Sequence, residues 1–552
     1  MISRILRYTL PVMTVLFMVL LIISMIQGYS GSMAFIIRML RAEHYSEQIF
    51  SLISQDKFRI LQGLLIVLVV VSAVLFVLFK PIYTKASILA KDLVTSVFRV
   101  YRSELSGNSK YLLIIPLIAA VIFAYFLPVS YDEAWTFNNF TDRGILSSIG
   151  YYPAPNNHIL HSFITNLTRY LPFLPPLMKM RISAIFFGGT TILFTSYFLK
   201  KHFNEPFALV VAGVSATLFM TLYYSYMSRG YGLVMLCFIV SLYFVFNILK
   251  SHRPRRNFVF FSIFSVIGFY TMPSFLYPYI LFNCIIFLKS QQYRKVQIIS
   301  TLSTAGVVAF LYTPVIILNG ISALINNDYV APIERFEVLQ RMPSFLCSSI
   351  EDITGFPWYI PFLLIIGSVI YTIRKKKRIF LYRELVLVFL LGPPILLIAH
   401  SVIPFSRTFN YYGFIFIFLI VLPFFQDLLR FGSRKILVCV VIIQFILVAH
   451  FGFGIRHHDI YSRLSDKIAE QIAGDHHYIV NSYLFDAYLL FELKTRGYSN
   501  YTLQYHPSIE MNTDSICNID FIVIDGDADQ TITREPIYEN QFYNVIPAVE
   551  CR

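Results

Sequence analysis

Apolar runs recur so often along this chain that most of it can be stably housed only in a lipid bilayer. They lie near 8–28, 59–79, 111–128, 182–199, 206–224, 231–249, 257–272, 275–288, 297–318, 358–373, 384–400, 409–425 and 435–453. A helix needs about twenty predominantly apolar residues to cross the hydrocarbon, so these runs predict about thirteen transmembrane helices. With 57% apolar and only 14% charged residues, the chain lacks the polar surface of a soluble enzyme. The first run follows Arg4 and Arg7 as a signal peptide would. It is long for one and has no small-residue cleavage site, so it reads as a span.

The formal charge of +14 invites a nucleic-acid reading, but the placement of the basic residues excludes it. They cluster beside every second apolar run: Lys80 to Arg102, Lys200/Lys201, Lys250 to Arg256, Lys289 to Lys295, Arg374 to Arg378 and Arg430 to Lys435. The intervening short turns carry almost none. This is the positive-inside pattern, and it predicts a cytoplasmic N-terminus. The outer face then receives residues 131–181, the 319–357 loop, the 401–408 turn and everything after the last run. Only short loops remain in the cytoplasm, which leaves no room there for a nucleotide-sugar domain.

Residues 1–104 read as two transmembrane helices followed by a cytoplasmic interfacial helix, with Ile88, Val94, Val97 and Phe98 at helical spacing among Lys and Arg. Residues 105–454 form the membrane core. Residues 455–552 change composition: HYIVNS, YLFDAYLLFELKTRG, YTLQYH and DFIVIDGDAD predict strand, helix, strand, strand in a small extracytoplasmic α/β domain. The adjacent pairs His457/His458 and His476/His477 would point to opposite faces of a strand and make poor joint ligands. The 319–357 loop, with Glu334, Glu337, Glu351 and Asp352, is a candidate mobile lid.

Residues 131–181 are too long for a simple connector and carry periodic apolar residues among Trp, Pro, Asn and His. They read as a folded first outer loop with amphipathic helices. Asp132 and Glu133 stand at the lip of the preceding span, where a carboxylate facing lipid costs roughly 2.5–3.5 kcal/mol. Such acids face water or a partner.

Asp-Glu-Ala just after a span, an aromatic, Asn- and Gly-bearing segment, a His motif and Arg181 opening the next span together resemble the C-type (GT-C) integral-membrane glycosyltransferases. The nearest likeness is to bacterial relatives of the protein O-mannosyltransferases and to the lipid A aminoarabinose transferases. Three further segments carry it. Asn156-Asn157-His158-Ile159-Leu160-His161 is similar to the superfamily's Asn-His-Pro-Leu segment, with Ile where Pro is usual. Tyr226–Gly232 is similar to its Arg-x-Tyr segment, and Pro404–Tyr411 to its Pro-x-Arg-Tyr entry, with Thr-Phe following the Arg. Gly268–Thr271 resembles a recurrent Tyr-Thr element.

The resemblance implies a glycosyltransferase using a hexosyl or pentosyl group on polyprenyl phosphate, and an extracytoplasmic glycan, lipid or protein acceptor. It makes Asp132 the base of an inverting displacement and Glu133 a helper that orients the acceptor or the base, or binds a metal. Asn157, His158, His161, Arg229, Tyr231, Tyr270 and Arg407 become substrate-binding candidates, Arg407 toward the donor phosphate. A divalent metal held by Glu133 and His158 is an open alternative, since imidazole with carboxylate suits zinc or manganese. So is a simple ion pair between one acid and Arg143, Arg181 or Arg229. Two other functions share these features. A polyprenyl-linked polysaccharide polymerase or ligase would rely on Arg and His in a later outer loop. A lipid-linked glycan transporter or flippase would place ionisable groups at span centres and show an internal repeat, neither of which is evident. Short cytoplasmic loops favour a bacterial inner membrane.

Overall fold

The computed structural model describes residues 2–39, 53–77, 79–325, 331–377, 379–458, 460–505, 519–525, 537–539 and 542–547. The protein is predominantly α-helical and divides into two compact units.

The first unit comprises Met1–Ser103 with the short segments Gly150–Pro153 and Ala309–Asn327. Its helices Ile2–Met39 and Gln55–Val77 expose Val, Leu and Ile along most of their length, as lipid-facing helices do. Polar side chains tie them together: Thr14 Oγ1 donates to Ser72 Oγ (3.0 Å) and Gln62 Nε2 to the Ser24 carbonyl (3.1 Å). In hydrocarbon such groups must find partners within the protein. The helix Phe79–Ser106 follows, with Ile88, Val94, Val97 and Phe98 exposed.

The second unit comprises Glu104–Ile149, Ala154–Val308 and Asp328–Arg552. Its axis is the helix Tyr231–Leu249, buried along almost its whole length. Two breaks in neighbouring helices matter for function. Glu205–Ser215 and Phe219–Tyr226 meet at 71°, and Arg335–Thr354 and Tyr359–Arg374 at 92°. At the second break Gly355 adopts φ 77°, a left-handed helix end that favours glycine. Among its described residues, the 319–357 segment, the candidate lid, is built mainly around a twenty-residue helix, Arg335–Thr354.

Every predicted apolar run falls on helix. Among the described residues, seven helices are long and apolar enough to cross a membrane alone, and ten crossings result if each bent pair counts as one. The expected thirteen is not confirmed by length and composition. Pro273–Lys289 and Tyr412–Phe424 are short, and Pro254–Thr271 opens on Arg255, Arg256 and Asn257. The chain is an integral membrane protein.

After the helix Ser433–His458 comes an amphipathic helix, Ile460–Ile472, and then a five-stranded sheet. Its strands are β1 His477–Val480, β2 Thr502–Tyr505, β3 Phe521–Asp525, β4 Tyr538–Glu539 and β5 Tyr543–Pro547, in spatial order β2-β1-β3-β5-β4. β1 is parallel to β2 and β3, and β5 is antiparallel to β3 and β4. The helix Tyr483–Arg496 makes the β1–β2 crossover. The predicted strand, helix, strand, strand order is present, with two more strands after it. His476 and His477 part ways as strand alternation requires: His476 packs on Phe521 and His477 Nδ1 meets Thr502 Oγ1 at 2.7 Å. The side chains of His457 and His458, and the run from Gly526, lie outside the described residues.

One hydrophobic core joins this sheet to the 131–181 segment. Val129, Ala134, Phe137 and Met180 are buried with Tyr478, Phe485, Tyr488, Phe491 and Tyr543. The Phe137 ring meets Phe491 edge-on at 5.2 Å, Asn138 Nδ2 donates to the Ala487 carbonyl (2.9 Å) and Lys494 pairs with Asp142 (3.0 Å).

Candidate functional site

The site grows from the short helix Tyr131–Thr136. Ser130 caps it: its hydroxyl accepts from the Glu133 N–H (3.3 Å) while Glu133 Oε2 accepts from the Ser130 N–H (3.2 Å), a reciprocal capping box. Glu133 is fully buried. It takes a two-pronged ion pair from the equally buried Arg181, Nη2 to Oε2 at 2.6 Å and Nε to Oε1 at 2.9 Å, and a further bond from the Ser228 N–H (2.7 Å). Arg181 spends its other protons on the carbonyls of Ala124, Leu127 and Pro128. Every oxygen of Glu133 is thus occupied. Of the alternatives open for the two acids, the ion pair with Arg181 is the one Glu133 makes, and through it Glu133 anchors the helix that carries Asp132.

Asp132 turns the other way. Its side chain is 22% exposed, and Oδ2 pairs with Arg407 Nη1 at 3.0 Å, with Arg229 Nη2 at 3.9 Å. Burial pushes the Asp132 carboxyl up, but the fields of Arg229 and Arg407 outweigh it and hold it below the ordinary carboxylate value. Arg229 is nearly buried and donates from Nη1 to Thr136 Oγ1 (2.7 Å) and to the Asn156 carbonyl (3.1 Å). Arg407, 29% exposed, stands on the 3-10 turn Ser406–Phe409 with its guanidinium 4.4 Å over the Phe405 ring. Despite burial, which alone would lower it, the nearby phenols and Asp132 raise its pKa further.

His158 caps the other side of Arg229. The Gly230 N–H donates to its Nδ1 (2.7 Å), and its Nε2 lies 3.3 Å from Arg229 Nη2. A side chain at Gly230 would collide with Thr271 and with His158 itself, so glycine is what lets the ring approach. Burial, then the charge of Arg229, keeps His158 neutral well below its ordinary pKa. Tyr231 sets its ring edge-on to the imidazole at 4.9 Å.

Asp132, His158, Arg229, Tyr231 and Arg407 are therefore brought together. Of the other candidates, Asn157 and His161 form their hydrogen bonds elsewhere. Asn157 is buried and donates to the Ser148 carbonyl (2.9 Å), pinning the loop. His161 is buried against Ser183 Oγ (3.1 Å), and burial followed by Arg229 lowers its pKa to about 3. Tyr270 is half-buried near the end of its helix, next to Thr271, against which Gly230 packs. The metal alternative does not fit these residues. Glu133 is saturated and His158 Nδ1 is taken by an N–H. Among the described residues no three His, Cys, Asp or Glu side chains gather as a metal group.

Arg407 also lines a cavity of about 750 Å³. Phe219, Met220, Tyr223 and Tyr224 from the broken helix form one wall, and Asp352, Phe356 and Phe405 another. Ser406 Oγ donates to Asp352 (2.6 Å), which fixes the turn bearing Arg407. His450 joins the lining, its ring stacked on Phe356 at 5.3 Å. Sequence reasoning named Asp352 only among the acids of a lid and missed His450 and the aromatic wall. A lone His in an apolar span was the available signal.

A membrane helix bundle with broken helices around an acid–arginine site, and an acid-bearing first loop, is a fold that solved structures share. The particular structures sharing it are those of ArnT from Cupriavidus metallidurans. The apo form matches with a TM-score of 0.54 over 79% of this chain and 96% of that one, at 10% identity. The form bound to undecaprenyl phosphate matches with a TM-score of 0.55 over 80% and 97%, at 11% identity. At that identity the likeness establishes fold. No protein-family model and no curated protein sequence matches the chain.

Proposed function

We propose that this protein transfers a sugar from a polyprenyl-phosphate donor to an extracytoplasmic glycan, lipid or protein acceptor, with inversion at the sugar. Residues 105–454 are the catalytic core, residues 455–552 an outer domain buttressing it, and the N-terminus is cytoplasmic in a bacterial inner membrane. Asp132 accepts the proton of the acceptor hydroxyl as its oxygen bonds to the anomeric carbon. The bond from that carbon to the phosphate oxygen breaks, and the electron pair leaves on the lipid phosphate. Arg407 and Arg229 stabilise the departing charge, and His158 contributes a neutral N–H. The aromatic cavity beside Arg407 holds the rest of the donor.

The observation that carries this reading is a carboxylate, 22% exposed, paired with Arg407 and 3.9 Å from Arg229, with Arg407 opening into a cavity of about 750 Å³, room for a sugar phosphate. A fold shared with a structure that binds undecaprenyl phosphate supports the donor class. The test incubates purified protein with a panel of radiolabelled polyprenyl-phosphate sugars beside Asp132→Asn. Wild type releases or transfers sugar, and the variant loses at least ~100-fold in rate, the low end of what a positioned base supplies. Equal turnover by both proteins removes Asp132 as the base.

A further inference from the structure

We infer that in the resting protein the Asp132 carboxylate occupies the place of the donor's phosphate, so that lipid-phosphate binding is what frees the base. The inference rests on the donor reading above and concerns the same site.

Charge comes first. Glu133 and Arg181 cancel one another in a closed pair, and His158 is neutral. What remains between Arg229 and Arg407 is the single Asp132 carboxylate. The groups facing them from the neighbouring elements are the phenols Tyr223, Tyr224 and Tyr231, with Asp352, turned to Ser406, and Glu351, which accepts from the Trp358 N–H, on the cavity wall. Two guanidiniums facing one carboxylate keep donor capacity for a second anion.

Geometry comes second. Asp132 Oδ2 reaches Arg407 at 3.0 Å, but its 3.9 Å approach to Arg229 is too long for a hydrogen bond. Arg229 Nε, on a side chain only 2% exposed, has no hydrogen-bond partner. Because His158 Nδ1 accepts from Gly230, the proton of the neutral ring sits on Nε2, beside another donor, Arg229 Nη2. Two donors held side by side call for an acceptor oxygen between them. A carboxylate satisfies one arginine here. The donor's phosphodiester has two free oxygens, one for Arg407 and one to sit between Arg229 and His158, and a sugar-free lipid phosphate monoester adds a third.

Access comes third. Arg407 faces the cavity, so a phosphate entering there meets it first and competes with Asp132 for it. Once the phosphate takes both arginines, the fields that depress the Asp132 pKa are neutralised and the carboxylate becomes a stronger base. Binding is therefore donor-first, and the base is weak until the donor is seated.

The experiment measures the affinity of the full chain in detergent for undecaprenyl phosphate carrying no sugar, with Asp132→Asn, Asp132→Ser and Arg407→Ala beside wild type. If the placeholder is engaged about nine-tenths of the time, removing it raises apparent affinity about tenfold. Both Asp132 variants tighten and Arg407→Ala weakens. Unchanged or weaker binding in folded Asp132→Asn and Asp132→Ser overturns the inference. Sugar transfer, assayed separately, distinguishes the failures. Transfer that needs Asp132 without any gain in affinity sinks the placeholder alone. A gain in affinity with no transfer in wild type sinks the donor reading and leaves an anion site.

Discussion

Changing Glu133 and Asp132 in parallel separates the two adjacent acids by what each does. Glu133→Ala leaves the Arg181 guanidinium, fully buried, without its carboxylate. Three backbone carbonyls still hold it, but the Ser130 and Ser228 N–H groups lose their acceptor as well. Removing one partner of a buried pair typically costs 3–5 kcal/mol, and each N–H orphaned adds about 1–3. The carbonyls offset part of that, so a net loss of about 3–5 kcal/mol is expected. Asp132→Asn removes a partly exposed, screened contact and should cost about 1 kcal/mol or less. Thermal unfolding of both variants in the same detergent ranks them: Glu133→Ala melts far below wild type, Asp132→Asn close to it. Activity falls in both, through misplacement of the helix in the first and loss of the base in the second. Glu133→Leu combined with Arg181→Met should recover part of the loss, since neither charge is then stranded. A Glu133→Ala protein as stable as wild type, or an Asp132→Asn protein less stable than Glu133→Ala, would refute the assignment.

Phe491→Ala should destabilise by about 3–5 kcal/mol and reduce transfer, because Phe491 packs on Phe137 in the core shared with the Asp132 helix; unfolding and turnover measured together check it. Arg407→Lys keeps the charge but loses the planar fork, so it should raise the donor KM less than Arg407→Ala does, as initial rates against donor concentration would reveal. Burial, then Glu492 and Glu470, raises the Asp466 pKa to about 8, so the folded state binds its proton where the unfolded chain, near 3.8, does not. Stability from this group therefore falls as pH rises from 3.8 towards 8, and Asp466→Asn should melt higher than wild type at pH 8 with the gap closing in acid.

Apolar spacing made the membrane helices legible, because a bilayer demands about twenty apolar residues whatever they pack against. Breaks within helices were legible only in part. Ala216–Leu218 looks like an ordinary pause in an apolar run, and Gly355-Phe356-Pro357 marks a helix end; the 71° and 92° turns that make a cavity wall are set by the packed fold. The partners of Arg407 lie 275 residues away in sequence, beyond any local period.

The adjacent acids mark the boundary most clearly. Sequence alone placed both at a membrane lip, where a carboxylate needs water or a cation, and it placed arginines at 181, 229 and 407 on the same predicted face. Neighbouring residues on a helix point about 100° apart, so one acid had to face the interior and the other the opening. Which did which was decided by the tertiary fold. Arg181 rises from the helix Pro176–His202 on Glu133's side, and the Arg407 turn meets Asp132 on the other.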